Sequence, residues 1–134
     1  MEKVCTVIVT YNGAKWIEKC MQHLTASEYP TSIIVIDNHS TDNTLDLLAP
    51  YLSKIELIKS EKNLGFGGGN NIGIKKALEL NAAFIFLLNQ DAYVSKECIG
   101  LLVTALRNNP SYGIISPLHL DNTGSQLDET FKNI

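Results

Sequence analysis

Four short apolar runs recur along this chain, and each is followed by a segment whose apolar residues return at helical spacing. The runs are 4–9 (V-C-T-V-I-V), 33–36 (I-I-V-I), 55–59 (I-E-L-I-K) and 84–88 (F-I-F-L-L). They are too short for core helices, rich in β-branched and aromatic residues, and three of them lack the polar alternation of a strand with one wet face. That pattern predicts strands covered on both sides. Between them, Trp16, Ile17, Cys20, Met21 and Leu24 mark one helix, and Leu45, Leu48, Ala49 and Leu52 a second, with Ser40 or Asp42 as its N-cap. Ile74, Ala77 and Leu78 predict a third helix over roughly 70–80. Ile99, Leu102, Val103 and Leu106 line a fourth, capped by Ser95 and ended by Asn108, Asn109 and Pro110, with G-I-I-S at 113–116 as a fifth strand. Strands alternating with helices pair in parallel through crossovers. The expected class is α/β, a doubly wound, mainly parallel sheet with helices on both faces.

Composition narrows the classes further. A chain of 134 residues with 45% hydrophobic and 19% charged residues can bury one globular core, read as a single domain over 1–117 followed by a polar tail over 118–134. No stretch nears the ~18 consecutive apolar residues of a spanning helix, and M-E-K-V-C-T-V-I-V-T lacks the apolar core of a signal peptide, which predicts a cytoplasmic protein. Cys5, Cys20 and Cys98 lie far apart in apolar segments and read as buried free thiols. A formal charge of −3 without a Lys/Arg run excludes nucleic acid as the main partner.

In an open α/β sheet the ligand crevice lies beyond the carboxyl ends of the strands. Those positions are unusually polar here. They hold Thr10, Tyr11 and Asn12, then Asp37, Asn38 and Ser40, then Asn63 with the glycines, and finally Asn89, Gln90 and Asp91. The segment 63–73, N-L-G-F-G-G-G-N-N-I-G, places Gly65, Gly67, Gly68, Gly69 and Asn71 just ahead of the third predicted helix. Glycines let a phosphate approach main-chain N–H groups at a positive helix end. The alternative is a loop packed tightly on a neighbouring strand. Neither a Walker pattern nor a dinucleotide fingerprint fits, because Gly73 is followed by Ile74 and Lys75, and Asn70 stands where the fingerprint needs Gly or Ala. Asp91, at the end of F-I-F-L-L, puts a carboxylate beside this phosphate cradle. The pairing calls for Mg2+ or Mn2+, which can take a single protein carboxylate plus phosphate oxygens; the alternative is a turn cap.

Four motifs in order, V-I-V-T-Y-N, V-I-D-N-H-S-T-D, N-x-G-F-G-G-G-N-N-x-G and L-L-N-Q-D-A, resemble those of the family 2 glycosyltransferases of the GT-A fold, especially bacterial rhamnosyltransferase-like members. The resemblance covers residues 4–94. It implies that Thr10, Tyr11 and Asn12 line the nucleotide pocket, that Asp37 contacts the base with Asn38 and Ser40 beside it, and that Asn63 through Asn71 hold ribose, diphosphate or sugar. It implies Asp91 as metal ligand, with Asn89 standing where the family often has a second Asp. The implied reaction is inverting transfer from a nucleoside diphosphate sugar, UDP- or dTDP-linked with dTDP-rhamnose among the candidates, to a hydroxyl of a glycan or lipid-linked acceptor at the inner face of the membrane. The general base is expected beyond Ile134, so the chain reads as a truncated, donor-binding portion with 118–134 as the start of the acceptor side. The alternative is a nucleotide-sugar-binding module without turnover.

Overall fold

A computed structural model describes residues 1–132. The elements run β1 (Val4–Thr10), α1 (Ile17–Thr25), β2 (Thr31–Asp37), α2 (Thr44–Leu48), β3 (Ile55–Lys59), α3 (Gly65–Glu79), β4 (Phe84–Asn89) and α4 (Cys98–Asn108), with short 3-10 turns at Ala49–Tyr51 and Glu129–Phe131. All four strands pair in parallel in the order β3-β2-β1-β4. The chain steps outward from β1 to β3, then crosses back to place β4 on the other side of β1. That reversal makes the carboxyl ends of β1 and β4 the topological switch point.

The chain divides into two compact units, Met1–Ile99 and the segment from Gly100 onward. In the first, every residue of β1 is buried. Cys5, Val7 and Val9 join Ile34, Ile36 and Ala77 in one core cluster on the side of α3, with Ile58, Ile72 and Ile85 packed against it. The alternate residues Val4, Thr6, Ile8 and Thr10 point the other way, toward the layer where Ile17, Cys20, Met21 and Leu24 of α1 are buried. Covering β1 on both faces explains its unbroken apolar run.

Three expectations change. The third helix begins at Gly65, not near residue 70, so the glycine run forms its first turns in place of a loop. Its buried stripe is Gly69, Asn70, Gly73 and Ala77, while Leu78 is exposed. The apolar periodicity misjudged this face because its contact residues are small. The second helix stops at Leu48, where Pro50 lacks the N–H needed to continue and a 3-10 turn follows, leaving Leu52 exposed. The segment 113–116 carries no strand, and Ile114 is exposed. In the second unit, residues 119–128 fold as a small turn closed by an antiparallel bridge between Leu120 and Leu127, and His119 stacks on Phe131.

Candidate functional site

The parallel register sets Thr10 opposite Asp37, Asp37 opposite Lys59 and Val9 opposite Asn89, so the strand ends finish level along one rim. At the switch point Gln90 joins β1 to β4. Its Oε1 accepts from Thr10 Oγ1 at 2.7 Å and from Tyr11 N at 3.2 Å, while its Nε2 donates to Tyr11 O at 3.4 Å. Gly13 makes this possible: a Cβ there would lie 2.1 Å from Gln90 Oε1 and 2.5 Å from Thr10 Oγ1. Tyr11 itself remains 44% exposed above this junction.

Asp37 ends β2 with 3% of its surface exposed. Its Oδ2 accepts from Ser40 N at 3.2 Å, whereas Oδ1 is buried without a hydrogen-bond partner among the described residues. An unpaired buried acceptor costs about 1–3 kcal/mol, so one kept at the rim of a crevice points to a donor arriving from outside. The neighbouring Asn38 is spent internally. Its Nδ2 donates to Gly65 O at 2.9 Å and its Oδ1 accepts from Leu64 N at 2.9 Å, which ties the end of β2 to the start of α3. Asn63 Oδ1 accepts from Gly65 N at 2.8 Å, and Gly65 has φ +74°, the left-handed value that its lack of a Cβ allows. This clamp explains why α3 starts so early.

The glycines of α3 divide into two groups. A Cβ on Gly69 would sit 2.7 Å from Val9 Cγ1, and one on Gly73 only 2.2 Å from Val7 Cγ1, so both exist to let the helix lie on β1. Gly68 is blocked by Leu64 Cβ at 2.9 Å. Gly65 and Gly67 face open space, beside Phe66, which is 62% exposed. Asn71 lies exposed one turn further along the helix. The first turn therefore keeps bare backbone at the rim, and the next two turns use glycine for packing.

The chain matches the family described as glycosyl transferase family 2 over residues 5–132. It belongs to that family. Similar relatives include poly(ribitol-phosphate) beta-N-acetylglucosaminyltransferase TarS of Staphylococcus aureus, 29% identical over 74% of this chain and 18% of TarS. Low-salt glycan biosynthesis hexosyltransferase Agl10 of Haloferax volcanii is 30% identical over 97% of this chain and 41% of Agl10. The dTDP-rhamnosyl transferase RfbF of Shigella flexneri is 31% identical over 91% of this chain and 40% of RfbF. The chain thus spans less than half the length of these relatives. Among solved structures, S. aureus TarS in complex with UDP-GlcNAc superposes with a TM-score of 0.70, over 89% of this chain and 38% of that one, at 23% identity. A mannosyltransferase from Pyrobaculum calidifontis in complex with GDP-Man and Mn2+ superposes with a TM-score of 0.69, over 78% of this chain and 32% of that one, at 21% identity. At these identities the likeness shows the fold, which is the GT-A arrangement.

Within this family 2 domain, Asn89 and Asp91 are exposed at the end of β4. Beneath them burial pushes the Cys20 thiol up to about 12, with the charge of Asp91 adding to the shift, and Cys20 Sγ lies 3.8 Å from Asn89 O. Burial likewise raises Cys5 and Cys98, and all three cysteines are free. Sequence reasoning passed over three residues that shape the rim, Gly13, Thr41 and Thr44, and gave Asp42 only a capping role. The signals were present in T-Y-N-G and S-T-D-N-T, but their partners lie 28 to 31 positions away and only the fold brings them together. Neither Ser40 nor Asp42 is the N-cap of α2: that position is Asn43, whose side chain makes no capping bond, although Asp42 Oδ1 accepts from Thr44 N at 3.0 Å one residue further out.

Proposed function

We propose that this chain is the donor-binding portion of an inverting glycosyltransferase that takes a UDP- or dTDP-linked sugar. The observation that carries the reading is the orphaned, buried Oδ1 of Asp37 at the rim. An ionised carboxylate only accepts hydrogen bonds, and the N3–H of uracil or thymine is a donor of the right kind. Tyr11 stands exposed nearby at the end of β1, and the bare backbone of Gly65 and Gly67 offers room for a diphosphate at the start of α3.

The donor set at the end of β4 is one exposed carboxylate, Asp91, with Asn89 two positions earlier as a neutral oxygen donor. Magnesium keeps several waters and takes one or two protein carboxylates, so this set fits Mg2+ or Mn2+. Asp91 would hold the ion, which supplies positive charge against the departing diphosphate. In the transfer, the bond from the anomeric carbon to the diphosphate oxygen breaks and the acceptor hydroxyl forms the new one, its proton passing to a carboxylate base. Asp121 and Asp128 make poor bases. The Thr123 hydroxyl holds Asp121 low, and the Thr130 backbone N–H holds Asp128 low as the cap of the last 3-10 turn. Glu129 pairs with Lys132. The acceptor is a hydroxyl of a cell-surface glycan or a lipid-linked sugar, a reading supported by the company of relatives named for such products.

Calorimetry with UDP and dTDP tests this. The natural chain should bind, and Mn2+ should strengthen binding ~10-fold, about 1.4 kcal/mol. Asp91→Asn should abolish that gain. Asp37→Asn, which turns an amide toward the base, should weaken binding with or without metal. Absence of nucleotide binding would refute the donor reading, and equal affinity with and without metal would refute the role of Asp91.

A further inference from the structure

We propose that Asn12 and Asp42 form a two-way staple between the loops after β1 and β2, which makes Asp42 a positioning residue for the nucleotide site. The inference rests on the donor-binding reading above. In one direction, Asn12 Oδ1 accepts from Thr41 N at 2.8 Å, Thr41 Oγ1 at 3.3 Å and Asp42 N at 3.3 Å. Asn12 reaches this position in a left-handed conformation, φ +45°, which asparagine tolerates better than most side chains. In the other direction, Asp42 Oδ2 accepts from Ala14 N at 3.2 Å. Its Oδ1 accepts from Thr44 Oγ1 at 2.5 Å, and that same hydroxyl oxygen accepts from the buried Gly13 N at 2.9 Å. The Thr44 hydroxyl has one proton. By giving it to Asp42, the oxygen is left free to serve Gly13, so the carboxylate sets the polarity of the whole relay.

The staple reaches the base-facing carboxylate in two steps. Ser40 Oγ accepts from Asn12 N at 3.0 Å, and Ser40 N donates to Asp37 Oδ2 at 3.2 Å. Holding Ser40 therefore holds the rotation of the Asp37 carboxylate that leaves Oδ1 unpaired. Between Asp37 and Ser40 the backbone passes through His39 at φ +70°, a conformation costly for histidine that the surrounding bonds must maintain. Neither Asp42 nor Thr44 lies among the residues assigned to the nucleotide, so their effect on it is indirect.

Three measurements on the same variants test the staple: UDP affinity, amide hydrogen exchange at Gly13, Ala14 and Thr41, and the thermal midpoint. In Asp42→Ala, exchange at these amides should accelerate and UDP should bind ~10-fold more weakly, because misplacing a binding group by a fraction of its contact distance is expensive. Thr44→Val should act in the same direction, while Thr44→Ser, which keeps the hydroxyl, should restore affinity. Should Asp42→Ala fail to fold, the Thr44 pair decides. Faster exchange with UDP affinity changed less than about twofold, or equal affinity in Thr44→Val and Thr44→Ser, would overturn the proposal and leave the staple a purely structural feature. If the natural chain binds neither UDP nor dTDP, the donor reading itself fails and takes this one with it, a result recognised in the unaltered protein.

Discussion

The two ends of the glycine run in α3 meet opposite surroundings. Gly69 and Gly73 lie against Val9 and Val7 with no room for a methyl group, whereas Gly65 and Gly67 border open space at the strand-end rim. One residue type, repeated within a single helix, thus answers two separate demands. Helix-on-sheet contact needs small residues at a spacing of four, and a backbone meant for a ligand needs absence of side chain where nothing in the protein demands it. A glycine-rich segment is therefore divided by its neighbours into packing and access.

The largest effect expected from this contrast belongs to Gly73→Val. Overpacking against Val7, whose Cγ1 lies 2.2 Å from the added Cβ, should cost about 3 kcal/mol or more, read as a fall in thermal midpoint of roughly 10 °C. Val7→Ala should recover part of the loss in the double variant. An unchanged midpoint would show that α3 is free to shift off the sheet, and the distinction between the two glycine groups would collapse.

Gly67→Ala sharpens the comparison from the other side. No atom lies within 4 Å of the added methyl, and alanine is the better helix former by up to about 1 kcal/mol, so the midpoint should rise by a few degrees. UDP affinity should fall at the same time. Higher stability with unchanged affinity would remove Gly67 from the ligand-facing group. Gly68 is a poor probe of the same question, since Leu64 Cβ at 2.9 Å gives a folding penalty of its own.

The smallest effect concerns pH. The Thr44 hydroxyl, with help from the backbone N–H groups of Thr44 and Ala14, holds the Asp42 carboxyl below its ordinary value. A folded value below the unfolded one, about 3.9, means that the staple's contribution is fully present above that pH and is lost as pH falls through the lowered folded value. The difference in midpoint between the natural chain and Asp42→Asn should stay constant from pH 8 to about 5 and shrink below about 4. A difference that fades already near neutral pH would show that another group carries it.

The strand ends were more legible in the sequence than the helices. Burial on both faces forces a continuous apolar run in β1 and in most of β2, and these strands stood out within a residue or two of their observed bounds. The run of β4 was equally legible, but β4 is an edge strand with only Leu88 buried and Leu87 46% exposed, against the expectation of cover on both sides. The rim followed from chain direction alone, because parallel strands end on one side. Helix α3 was misjudged at its start because glycine is a poor helix former; its first turns are held by the Asn38 clamp and by contact with β1. The run at 113–116 shows the reverse error. It is apolar enough for a strand, but no ladder forms there among the described residues.

Residue order by itself determined the α/β class, the parallel alternation and the set of polar residues at four strand ends. These depend on periods of two and 3.6 and on local turn chemistry, which neighbouring residues settle among themselves. The tertiary structure decided which of those polar residues are committed to one another and which remain available. Asn12, Asn38, Ser40 and Gln90 are engaged by partners 26 to 80 positions away, while Asp37 keeps one buried oxygen unpaired among the described residues. No local pattern encodes that division, because a hydrogen bond depends on distance and direction in space, and residues so far apart in the chain acquire both only when the sheet register brings their strand ends level.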